Sequence, residues 1–369
     1  MMMYRHKLTK LKNGLRLITI PIPQVESITV MVGVGAGSRY ETQSVNGLFH
    51  FIEHMAFKGT KNRPTAFDIS SEVDGVGGQF NAFTSKDFTG YWIKLASKHQ
   101  ELAFDVLSDM LANSLFKTEE IEREKGVIIE EINMREDTPQ VGVIEAFIRL
   151  LYGNNPMGWD IAGEKETVRQ IKRKDFLEYI DKLYFSKNMA VVVAGKINED
   201  KIIKLTKQYF GRLKKSGKKR TKSIKLSQKR PKTKLIYKKT EQAHFCLGVP
   251  GYWYSHPDRF VEVVLSTILG QGMSSRLFIE IRERRGLAYY VFCEPDFFVD
   301  SGFLMVRAGV ALGQIEEAIK IVLNEFQKLV EKKVSFKELK KTKEFLKGRM
   351  ILALEDSQNV ASRYAPKFN

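Results

Sequence analysis

The chain has 369 residues, 43% of them hydrophobic, and a net charge of +17. It is longer than one ordinary compact domain and too apolar for a disordered chain, so two domains with real cores are expected. No apolar run is long enough to span a bilayer. Lys7, Lys10, Lys12 and Arg16 interrupt the N-terminus, which excludes the apolar core of a secretory signal. Cys246 and Cys293 form no C-x-x-C pair, so no disulfide framework is expected and a reducing cytoplasm is the implied compartment.

In chain order, Asn13-Gly14 between LTKLK and LRLITI marks a hairpin, and ITVMVGVGAG reads as a buried strand. Gly47 precedes a helix through LFHFIEHMAF, and a second helix follows Pro64 and ends near GVGGQF. FNAFT and FTGYWIKL have strand composition, whereas His99–Leu115 and Lys117–Met134 carry helical apolar spacing. NMAVVVAG is a short buried strand, and the helix INEDKIIKLTKQYFG leads into a basic segment. Between Arg212 and Lys234 lie twelve Lys or Arg and no Asp or Glu, so most of the net charge sits in this one stretch. Without aromatic residues it offers no base-stacking platform and reads as a solvated linker rather than a nucleic-acid site. Beyond it, LIYKK and HFCLGVP read as strands, PDRFVEVVLSTILG and SRLFIEIRER as helices. LAYYVFCEP and GFLMVRAGV are strands, and long helices occupy Gln314–Val330 and Phe336–Leu354. Strands followed by helices in each half imply an α+β protein of two related domains with mainly antiparallel sheets: 1–212, a linker at 213–233, and 234–369.

The chemistry lies in HFIEH. Positions four apart share a helix face, so His50 and His54 can reach one cation, and two imidazoles on one turn begin a zinc site. Glu53 stands at the edge of that face, where it can take a proton from a metal-activated water. The order is the reverse of H-E-x-x-H. The flanks Phe49, Phe51, Ile52 and Met55 are apolar, and buried ionisable groups need pairing, which a metal supplies. A hydrogen-bonded core pair of histidines is the blander reading. A third ligand is required, and the helix EEIEREKGVIIEEINMRED offers Glu124 and Glu131 two turns apart on one face, although spacing does not choose between Glu130 and Glu131.

The stretches GLFHFIEHMAFKGT, GVGGQFNAFTSKDFTGYW, EREKGVIIEEINMREDTP and SSRLFIEIRERRGLAYYV resemble, in order, the M16 family of metallopeptidases. The family includes mitochondrial processing peptidase, pitrilysin and insulin-degrading enzyme, and the chain is most similar to its smaller bacterial members of the processing-peptidase type. The resemblance implies one zinc ion per chain, held by His50, His54 and Glu131, the last separated from His54 by 76 residues as in the family. It implies Glu53 as the general base and Glu124 as the residue supporting the ligands. It further implies that a peptide substrate pairs as an extra strand with Asn81-Ala82-Phe83, although Phe80 and Phe83 also suit core packing. In the second domain it assigns Arg282 and Tyr289 to the substrate's carbonyl groups. The implied activity is a zinc endopeptidase acting on extended or unfolded peptides, as a homodimer or a paired M16 subunit, without membrane or specific nucleic-acid partners. A non-catalytic partner subunit of an M16 complex is the alternative. Family members continue beyond the long helix ending in ALEDSQNVASRY, so the second domain is expected to be truncated.

Overall fold

The computed structural model describes residues 4–217, 223–224, 226 and 228–365. The first half contains β1 (Lys7–Lys10), β2 (Arg16–Pro21), β3 (Ser27–Val34), α1 (Leu48–Met55), α2 (Ala66–Asp74), β4 (Gln79–Thr84), β5 (Thr89–Ala96), α3 (Gln100–Asn113), α4 (Thr118–Glu136), α5 (Pro139–Tyr152), α6 (Lys165–Gln170), α7 (Arg173–Leu183), β6 (Met189–Gly195) and α8 (Glu199–Phe210). The second half contains β7 (Gln242–Pro250), α9 (Arg259–Gly270), β8 (Ala288–Phe297), β9 (Gly302–Ala311), α10 (Ile315–Glu331), α11 (Phe336–Ala353) and α12 (Ser357–Tyr364). No helix among the described residues is long and apolar enough to cross a membrane.

Two compact units result, and neither is a continuous stretch of chain. The first gathers residues up to 132, those from 159 to the basic segment, and those from 353 onward. The second takes 133–158 and the chain from the basic segment to 352. The halves that the sequence divides at 213–233 each lend a segment to the other's compact unit. Of the basic segment, 218–222, 225 and 227 lie outside the described residues. The segment is not wholly solvated: Ile224 and Leu226 pack on an apolar cluster of the second unit, and the Ile224 amide donates to Asp300.

The first unit is built on a six-stranded sheet in the order β1-β2-β6-β3-β5-β4. The expected hairpin joins β1 to β2, with Lys10 opposite Arg16 and Gly14 at φ +90° after Asn13, whose side chain accepts the Leu15 amide. All pairs are antiparallel except β2 with β6. Side chains alternate across a strand. Ile28, Val30, Val32 and Val34 of β3 thus enter a core with α1, α3, α4, α7 and α8, while Met31 points to the other face. That face is covered by α12, whose Val360, Ala361 and Tyr364 pack on Ile18, Ile20, Met31 and Val192. Cover on both faces explains why β3 and β6 read as unbroken apolar runs.

The second unit has an antiparallel sheet in the order β7-β9-β8, the same first-third-second arrangement that β3, β5 and β4 adopt. Leu304, Val306, Ala308 and Val310 of β9 join one core with α10, and Phe303 and Met305 join another with Phe147 and Tyr152 of α5. LIYKK does not form the expected strand: Leu235 and Tyr237 are each 90% exposed, and no ladder holds them. Apolar β-formers extend a chain, but without a partner strand they make no sheet. SRLFIEIRER is helical, with a π-helical stretch at Phe278–Glu283.

Candidate metal centre

The first unit brings together five of the predicted site residues. His50, Glu53 and His54 project from α1, and Glu124 and Glu131 from α4. Helix α1 starts at Gly47, whose φ of +97° suits glycine, and a Cβ there would meet the Ala162 carbonyl at 2.5 Å. Its apolar residues Phe49, Phe51, Ile52 and Met55 are fully buried, so packing fixes which face the histidines share. On α4, Ile121, Glu124, Ile128 and Ile132 are buried, whereas Glu130 is exposed.

His50 Nε2 lies 3.5 Å and His54 Nε2 3.6 Å from Glu131 Oε2. Ligand atoms of the three residues all fall within 4.8 Å of one another. This donor set fits zinc. Two imidazoles and a carboxylate leave a fourth position open, and the spacings approach the edge of about 3.3 Å that bonds of ~2.0–2.1 Å give a tetrahedron. Glu131, rather than Glu130, is the carboxylate so placed.

Around this trio each remaining group has a distinct environment. The Glu124 carboxylate, 2.9 Å from His54 Nδ1 and 2.6 Å from Lys58 Nζ, accepts from both. Burial opposes its ionisation, yet these two partners hold its pKa below the ordinary value. With the Nδ1 proton facing a carboxylate, His54 turns the lone pair of Nε2 toward Glu131. Burial raises the pKa of Glu53, against a hydrogen bond from Thr84 and the nearby His54. Its Oε2 is buried and bonded to no protein group. Behind it, the buried hydroxyls of Tyr91 and Tyr184 meet at 3.0 Å.

Asn81, Ala82 and Phe83 lie on β4, a sheet-edge strand paired on one side with β5. Asn81 is exposed and its Oδ1 accepts the Ala82 amide at 2.8 Å. The Phe83 ring packs edge-on against Phe88 at 5.4 Å and Phe80 packs on Phe57 at 5.6 Å, and both rings are half-buried against the apolar clusters on either face of the sheet. Arg282 and Tyr289 belong to the second unit and meet there. Arg282 Nη1 donates to the Tyr289 carbonyl at 2.8 Å, and the guanidinium lies 5.2 Å from the Tyr289 ring. Tyr289 is 75% exposed, beside a strand bulge, and the pair lines a cleft of about 550 Å³ with Glu241 and Gln314.

Sequence reading passed over Lys58 and Glu41, and it placed Thr84 only on the substrate-pairing strand, not against α1. Lys58 was accessible, lying four residues after His54 on the same helical spacing. Thr84 and Glu41 reach α1 from separate segments and left no local signal.

A helix bearing His-x-x-Glu-His with a distal Glu, set on an α+β sheet, is the arrangement of the inverted-motif zinc peptidases. The profile described as insulinase (peptidase family M16) matches residues 16–165, and that of the peptidase M16 inactive domain matches residues 170–346. A protein of Bacillus subtilis named as an uncharacterized zinc protease, YmxG, is 37% identical over 95% of this chain and 85% of its own length. A zinc protease, likewise named uncharacterized, of Streptomyces coelicolor is 36% identical over 96% of this chain and 78% of its own. The crystal structure of a protease from Helicobacter pylori superimposes with a TM-score of 0.90 at 28% identity, covering 98% of this chain and 89% of that one. A peptidase M16 inactive domain from Pseudomonas fluorescens, 18% identical with a TM-score of 0.89 over 98% of this chain and 87% of that one, shares the fold. The chain belongs to the M16 family of metallopeptidases.

Proposed function

We propose that the chain is a zinc-dependent endopeptidase that hydrolyses peptide bonds in extended or unfolded peptides, with one zinc ion held by His50, His54 and Glu131. The observation that carries this reading is the convergence of those three ligand atoms beside the half-buried carboxylate of Glu53, which shares α1 with both histidines. Zinc bound there would acidify a water and polarise the scissile carbonyl. Glu53 then accepts the water's proton as the oxygen bonds to the carbonyl carbon, and returns it to the amine nitrogen as the C–N bond breaks. Glu124 holds the His54 ring throughout. The open edge of β4 receives the substrate as an added strand, and a substrate carbonyl replaces Asn81 Oδ1 on the Ala82 amide. This assigns Asn81, Ala82 and Phe83 to main-chain pairing, not to side-chain recognition. Arg282 and Tyr289, a cation and an exposed phenol in one cleft, are assigned to substrate carbonyl groups.

The test separates metal from chemistry. Glu53→Gln should retain the zinc of the wild type and lose roughly 10²–10⁴-fold in peptide cleavage, because an amide does not accept the proton. Zinc content by elemental analysis and turnover of an unstructured peptide are the measurements. Wild-type turnover in that variant removes Glu53 as the base. A wild type that binds zinc and cleaves no peptide supports the partner-subunit alternative.

A further inference from the structure

We infer that Glu41 is a positioning residue for the metal centre: its buried carboxylate caps α1 from outside the helix and fixes the helix that carries both histidines. The inference rests on the zinc reading above. A helix N-terminus leaves N–H groups without intrahelical partners, and the usual remedy is a side-chain oxygen on the N-cap residue. The N-cap of α1 is Gly47, which has no side chain to offer. Glu41, only 4% exposed, supplies the oxygens instead. Its Oε1 accepts the Phe49 amide at 2.8 Å, and its Oε2 accepts the Gly47 amide and Asn46 Nδ2, each at 2.9 Å. Burial pushes the Glu41 pKa up to about 7, while these three donors and the helix dipole favour its charged form.

The clamp extends beyond the cap. Asn46 Nδ2 also donates to the Asp160 carbonyl at 2.8 Å, and Thr167 donates to the Asn46 carbonyl at 2.8 Å. Helix α1 is thereby held at its start by Glu41 and near its end by the His54–Glu124 bond. It has eight residues, about two turns, with His50 in the first and His54 in the second. Glu131 stands on a different helix. Any rotation or slide of α1 therefore moves both imidazoles together relative to the third ligand, and zinc affinity reads the placement of the helix. All three partners of Glu41 are donors. Replacing it by Gln substitutes a donor for one acceptor and leaves at least one buried N–H opposite another.

The experiment uses the full chain. Zinc affinity is measured by competition with a chromophoric chelator for the wild type, Glu41→Gln and Glu41→Asp. The absorption spectrum of the cobalt-substituted protein and the unfolding temperature of the metal-free protein accompany it. Both variants should bind zinc about tenfold more weakly or worse and shift the cobalt spectrum, with Glu41→Asp the milder. Wild-type affinity and spectrum in a folded Glu41→Gln, with only the unfolding temperature lowered, would make Glu41 a residue of stability alone and overturn the inference. If Glu41→Gln does not fold, Glu41→Asp decides by the same criterion. A wild type that takes up no zinc refutes the zinc reading itself, whatever the variants do.

Discussion

Glu124 shows how one carboxylate can serve a metal without touching it. It sits between His54 and Lys58, so its charge is balanced locally and its oxygen is free to fix the imidazole. In Glu124→Gln an amide group replaces one of those oxygens, and its N–H₂ meets either Lys58 or the His54 N–H. Zinc affinity should fall about 10–100-fold, the range for losing an outer partner of a ligating histidine, and chelator competition at fixed pH measures it. Much of this site was legible from residues. HFIEH gave the two histidines and the base, and the two-turn spacing put Glu124 and Glu131 on one face. The choice of Glu131 over Glu130 came from the resemblance, and it is the Glu131 carboxylate that lies 3.5 Å and 3.6 Å from the two imidazole nitrogens. What stayed hidden was the support that other segments lend to α1: Glu41, whose carboxylate accepts the amides at the start of the helix, and Thr84 from β4. Hydrogen bonds between segments distant in sequence follow from the fold, and no local pattern announces them.

Among the elements, α12 is one that the helix bounds read from the sequence did not include: they ended the preceding long helix at Leu354, and α11 ends at Ala353. Helix α12 is capped by Asp356, whose Oδ1 accepts the amides of Gln358 at 2.8 Å and Asn359 at 3.0 Å, and whose other oxygen pairs with Lys94 of β5. Burial works against ionisation of Asp356, but Lys94 and these amides together hold its pKa below the ordinary 3.8. A carboxylate with a depressed pKa contributes stability that is present above its unfolded value and lost as pH falls through the folded one. The attachment of α12 should therefore weaken as pH drops below about 3.8. Asp356→Ala should loosen it at neutral pH, at a cost of about 1 kcal/mol for the cap. Amide exchange of residues 357–364 is the measurement, and protection equal to wild type would remove Asp356 as the anchor. LIYKK teaches the converse lesson: its composition was right for a strand, but strand formation needs an open neighbour, which composition does not record.

At the scale of the molecule, the α+β class, the related sheets and most helix bounds were readable, because apolar periodicity is written locally. The exchange of segments was not. Residues 133–158 carry α5 into the second unit, and residues from 353 carry α12 into the first. A fragment of residues 1–212 would thus lack α12 and uncover Ile18, Ile20, Met31 and Val192. At ~1.5–3 kcal/mol for each of these four large side chains, exposing them costs on the order of 6–12 kcal/mol as an upper bound, comparable with a whole domain's ~5–15 kcal/mol. The fragment is expected to aggregate or to melt well below the full chain, and adding a peptide of residues 353–369 should raise its melting temperature. A fragment that unfolds at the full-length temperature would show that α12 is dispensable. The mutual loan of helices also bears on heredity. Were the coding sequence cut at the basic segment, neither product would close its own core. Each would be fully stable only in the other's company, and selection would have to keep them as a pair.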